Sequence, residues 1–169
     1  IIGAFSGDDL TDADYNVTLG FGALGSDTKG SKSVAIGVDA LTAQNFTSST
    51  DTHNVAIGYE AGASVTTGIN NIFLGSASGN DLTDADFNTA VGANSLREDT
   101  LGSRSTALGY YALGNQNFTT ATNTYNIAVG YHAGLSVTTG TRNTLVGGLA
   151  GDAITTGVRN TTLGYFSGS

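Results

Sequence analysis

Short apolar triplets recur along the chain, each closed by a glycine. VTLG, VAIG, VAIG, IFLG, TAVG, TALG, IAVG, TLVG and TTLG end at Gly20, Gly37, Gly58, Gly75, Gly92, Gly109, Gly130, Gly147 and Gly164, and Gly3 stands one step earlier. The intervals between successive glycines run 17, 17, 21, 17, 17, 17, 21, 17 and 17, so the pattern repeats in blocks of four coils, as from Gly3 to Gly75 and from Gly58 to Gly130. The wording repeats too: DDLTDADYN at 8–16 returns as NDLTDADFN at 80–88, and ASVTTGINN at 63–71 as LSVTTGTRN at 135–143. A long fixed period with a two-residue alternation inside it predicts an all-β fold, a β-solenoid of parallel β-roll or β-helix type. It has about nine coils of those two lengths, continuous over 1–169 with no linker to mark a boundary.

Alternation gives each triplet two faces. The flanking positions carry Val17, Leu19, Val34, Ile36, Val55, Ile57, Ile72, Leu74, Val91, Leu108, Ile127, Val129, Val146 and Leu163. Branched aliphatics in register are read here as the ladder that fills the interior. The middle residues Ala35, Ala56, Phe73, Ala90, Ala107, Ala128 and Leu145 then face outward, and an outward stripe of small and apolar residues predicts contact with a second chain. Four residues before each glycine stands Asn or Ser, from Asn16 and Ser33 to Asn160, read as a corner whose side chain bonds the backbone of its own or the next coil. Three residues after it comes Ala or Ser, a tight inside corner. Seven after it come Leu10, Val65, Leu82, Val137 and Ile154, expected to fill the core from the opposite wall. Asp27 and Asp99 take that place in coils two and six, where Leu24 and Leu96 are expected to substitute.

Composition narrows the function classes. Gly numbers 25 of 169 without a three-residue period, which excludes collagen. Apolar runs are too short for a membrane helix, so no membrane insertion is expected. The net charge of −8 argues against nucleic acid, which needs a basic stripe to neutralise phosphates. A chain opening at Ile1, with a partial coil at each end, reads as a fragment of something longer.

The strings SVAIGVDAL, NVAIGYEAG, NTAVGANSL, STALGYYAL and NIAVGYHAG resemble the head repeat of trimeric autotransporter adhesins of the YadA type, a repeat also found in bacteriophage tail fibres. The resemblance recurs in every coil and implies a left-handed roll, three identical chains packed side by side, and a rigid adhesive or spacer rod. By position, Ala35, Ala56, Ala90, Ala107 and Ala128 match the small residues of that motif, and Val34, Ile36, Val55, Ile57, Val91, Leu108 and Val129 its apolar ones. Both coil lengths here exceed that of the family's usual repeat, a departure that either changes handedness and trimer geometry or only enlarges the outer loop.

Chemistry is sparse along this chain. Asp12 and Asp14, repeated as Asp84 and Asp86, supply hard oxygens suited to Ca²⁺, with a solvated acidic loop as the other reading. His53 and His132 lack the Cys or His neighbours of a zinc site. No nucleophile stands beside a base and no phosphate loop occurs, so neither an enzyme nor a cofactor is expected. The candidate ligand contacts are aromatics: Tyr59, Tyr110, Tyr131 and Tyr165 just after a landmark glycine, and Phe46 and Phe118 in the long loops of coils three and seven. The expected role is a structural segment of an extracellular fibre, a phage tail fibre or a bacterial surface adhesin, that holds an attachment tip away from its base. The alternative is a glycan-binding module built from the long loops and these aromatics.

Overall fold

A computed structural model describes residues 2–169. Nine three-residue strands, Val17–Leu19, Val34–Ile36, Val55–Ile57, Ile72–Leu74, Thr89–Val91, Thr106–Leu108, Ile127–Val129, Thr144–Val146 and Thr161–Leu163, form one parallel sheet in chain order. Like positions pair throughout, as in Ala35 with Ala56 and Ala56 with Phe73. The fold is therefore a parallel β-solenoid of about nine coils, and no helix occurs among the described residues. Two short parallel pairs, Gly30–Ser31 with Thr50–Asp51 and Gly102–Ser103 with Thr122–Asn123, bracket the two long loops.

The landmark glycines stack in a column. Each from Gly3 to Gly164 has φ between +120° and +143°, a region closed to side chains, and a Cβ added at Gly58 would lie 2.5 Å from the Gly75 carbonyl oxygen. Two residues later the chain turns through the left-handed region again, here with side chains attached, as at Tyr111 (φ 55°) and His132 (φ 54°).

The two faces of the ladder are the reverse of the sequence expectation. Ala35, Ala56, Phe73, Ala90, Ala107, Ala128 and Leu145 are fully buried inside the coils, so they are not an oligomer face. The supposed core ladder lies outside: Val17 is 51 % exposed, Leu19, Ile57, Ile72, Ile127 and Leu163 are exposed, and Val34, Ile36, Val55, Leu74, Val91, Leu108, Val129 and Val146 are half-buried. The reason is width. A coil this short takes a larger middle residue such as Phe73 or Leu145 only where glycines lie beside it, so that wall otherwise carries mostly alanine and the other reaches across it.

The reaching wall alternates between two solutions. In coils one, four, five, eight and nine a glycine four places after the landmark makes room, and Leu10, Val65, Leu82, Val137 or Ile154 fills the centre from the seventh. Coils two, three, six and seven place a buried leucine at the fourth position, Leu24, Leu41, Leu96 and Leu113, as expected for Leu24 and Leu96. Their seventh position is then polar: Asp27, Gln44, Asp99 and Gln116. Phe73 fits because glycines flank it, and a Cβ at Gly62 would come within 2.7 Å of its ring.

The corner asparagines form the expected ladder. Asn54 Oδ1 accepts from the Asn71 amide, Asn71 Oδ1 from Asn88 and Asn88 Oδ1 from Ser105, at 2.8–2.9 Å. Each also donates from Nδ2 to a carbonyl further along the chain, Asn54 to Gly68 and Asn71 to Ala85. Buried amides are thereby satisfied in both directions along the rod.

Candidate functional site

Coils three and seven, with the four extra residues, are locked by a buried polar cluster. Asp99 Oδ1 accepts from the Gly102 and Phe118 amides at 3.1 and 2.9 Å, and its Oδ2 from Gln116 Nε2 at 2.5 Å. Gln116 Oε1 in turn accepts from Asn126 at 2.7 Å, and Ser105 and Thr124 share a hydrogen bond beside it. The same arrangement joins Asp27, Gln44, Asn54, Ser33 and Thr52 one block earlier. Phe46 and Phe118 are pinned by their own amides to these carboxylates and are 7 % and 6 % exposed, so they are not ligand contacts. The loop turns inward to cover a polar centre instead of presenting its ring.

Burial pushes the Asp99 carboxyl above its ordinary value of 3.8, against the hydrogen bonds from Gln116, Phe118 and Gly102 that pull it down. A raised folded-state pKa favours the folded protein below the ordinary value, and that advantage is lost as pH rises through the folded value. Thermal melts of the wild type and Asp99→Asn from pH 7 downward should therefore show the wild type gaining on the variant as pH falls toward 3.8. A difference independent of pH would contradict this.

The acidic loops do not gather. Among the described residues no group of three or more Asp, Glu, His or Cys side chains comes together, at Asp12, Asp14, Asp84 and Asp86 or elsewhere. Asp84 Oδ1 accepts from Thr67 Oγ1 at 2.7 Å and Asp86 Oδ1 from the Ile69 amide at 2.8 Å, tying each loop to its neighbour.

Where the structure does gather chemistry is at the start of coils seven and eight. Tyr110, Tyr111, Asn115, Tyr131, His132 and Leu135 line an open cleft of about 310 Å³. Tyr110 and Tyr131 stack at 5.7 Å with 12° between planes, and His132 lies flat on Tyr131 at 3.9 Å and 10°. Tyr111 stands edge-on to both Tyr110 and His132, at 5.2 and 5.8 Å, and its hydroxyl accepts from Arg97 at 3.1 Å. The backbone beneath is fixed in the coil ladder: Tyr111 N donates to Ala93 O, His132 N to Tyr110 O and Leu149 N to Tyr131 O.

Of the expected aromatics, the structure thus joins Tyr110 and Tyr131, while Tyr59 and Tyr165 stand exposed outside the cleft. Beside Tyr59 lies Glu60, whose hydrogen bond and charge push the phenol above its ordinary pKa. Sequence reasoning missed Tyr111, Asn115, His132 and Leu135. The pairs Tyr110-Tyr111 and Tyr131-His132, one coil apart at equal register, were the available signal.

No protein-family model matches the chain, and no curated protein or solved structure matches it. No helix among the described residues is long and apolar enough to cross a membrane.

Proposed function

We propose that the chain is a rigid segment of an extracellular homotrimeric fibre, a virion tail fibre or a bacterial surface adhesin, acting as a spacer for host or surface attachment. The observation that carries this reading is the outward aliphatic stripe. It has an aliphatic at the third position of all nine strands and at the first position of five, threonine taking the other four, over about 38 Å. A contiguous apolar surface of that length is unusual on a solitary soluble chain. Its knobs recur at the coil spacing of about 4.8 Å, and a partner must share that period to interlock over the whole length. A second copy, parallel and in register, has it by construction. The number three comes from the resemblance of NVAIGYEAG and its kin to adhesin head repeats.

Light scattering tests the proposal. The wild type should have a mass near three times 17.0 kDa. The double variant Ile57→Lys, Ile127→Lys places charges on the stripe four coils apart and should fall to a single chain with unchanged circular dichroism. A wild type found at 17.0 kDa would remove the assembly and leave the rod.

A further inference from the structure

We propose that the cleft formed by Tyr110, Tyr111, Asn115, Tyr131, His132 and Leu135 is a binding site for a neutral pyranose unit of a surface polysaccharide. The inference stands on this cleft alone and holds whether or not the chain assembles.

Flat rings are the first requirement for such a ligand, because the C–H face of a pyranose packs on an aromatic face while its hydroxyls seek polar groups at the edge. Tyr110, Tyr131 and His132 lie within 20° of one another as a stack in which His132 covers one face of Tyr131, with Tyr111 as an upright wall, so the sugar packs on an outer face of the stack. Tyr110 and Tyr131 are 45 % and 56 % exposed, so the stack is open to a ligand. The phenol hydroxyls, the His132 imidazole and the Asn115 amide supply donors and acceptors around an apolar floor that includes Leu135. A volume of about 310 Å³ is at the small end of ligand sites and suits one or two sugar rings.

The chain carries its own control. The same six places one block of four coils earlier hold Val38, Asp39, Ala43, Tyr59, Glu60 and Ala63. The interior is nearly unchanged between the blocks: Leu41 and Leu113, Gln44 and Gln116, Phe46 and Phe118, Asn54 and Asn126, Ala56 and Ala128 are identical. At the surface two carboxylates and three small or aliphatic residues give way to three rings, an amide and a leucine. Only Tyr131 keeps its counterpart. No acid lines the cleft in a chain of net charge −8, which suits a neutral ligand. Because the ladder already fixes the backbone under the rings, little is left to order on binding.

Saturation-transfer NMR on the intact chain, with the methyl β-pyranosides of glucose, galactose, mannose and N-acetylglucosamine as probes, tests the site. At least one probe should receive saturation, strongest on one ring face. Tyr131→Ala should weaken its binding about tenfold, the equivalent of about 1.4 kcal/mol for a stacked ring. Tyr131→Phe, which keeps the stacked ring, should stay within about threefold. Tyr59→Ala, at the acidic counterpart, should change nothing. Tyr131 is exposed, and an unchanged melt would show the variants folded. No transfer to any of the four probes, transfer that survives Tyr131→Ala, or an equal loss in Tyr59→Ala would each overturn the proposal.

Discussion

Phe73→Ala should lower the free energy of unfolding by about 3–5 kcal/mol while leaving the oligomeric mass as it is. Phe73 is the largest fully buried side chain in the rod, held between Gly62 and Gly79, with Leu41 within reach from the coil above. Removing the ring leaves a cavity that glycines cannot refill, because they have no side chain to move into it. The effect should be local at first, since each coil touches only its neighbours: denaturant melts should broaden or split as coils four and five open ahead of the rest. The result also separates the two assignments of the triplet's middle position. A residue on an outward contact face would give up its partner chain and little intrinsic stability. Full stability combined with loss of assembly would therefore restore the outward reading that burial contradicts.

Gly58→Ala should be at least as damaging, by about 3 kcal/mol or more. At φ +143° an alanine is strained before it meets anything, and its Cβ would then press on the Gly75 carbonyl at 2.5 Å. That carbonyl belongs to the next coil's backbone, so relief requires the two coils to part and breaks the ladder on either side. Gly148→Ala is the matched comparison. It has no positive φ, and its nearest neighbour is the Tyr165 ring at 3.5 Å, so its stability should stay within about 0.5 kcal/mol of wild type. Equal melting of the two variants would mean that the glycine column does not constrain the stack.

Much of this fold could be read before its coordinates because spacing alone determines it. The intervals between glycines gave the number of coils, the parallel register and the place of both long loops, and the corner asparagines gave the inter-coil bonding. The phase of the triplet could not be had that way. Val-Ala-Ile has two bulky residues and one small one, and hydropathy puts the bulky pair inside; the width of the coil, which is a property of the closed turn, puts Ala56 inside instead. The cleft was half legible for a similar reason. Tyr110 and Tyr131 share one register and are visible as a column, but Tyr111 and His132 have the same left-handed backbone and still differ in ring orientation, the first edge-on to its preceding ring and the second flat on it, which spacing does not reveal. Phe46 and Phe118 misled because a long loop looked like a projection, whereas the buried Asp27 and Asp99 draw their amides inward.

The backbone hydrogen bonds between coils all point along the rod. Tension applied at its two ends is therefore carried in series, and the weakest interface sets the strength of the whole. Each coil that peels away would release its whole contour, about 55–70 Å of slack for the loss of one step of about 4.8 Å. A single such rod yields to pulling by paying out line; in the proposed assembly, sister rods along its flank would turn that compliance into load shared across every rung.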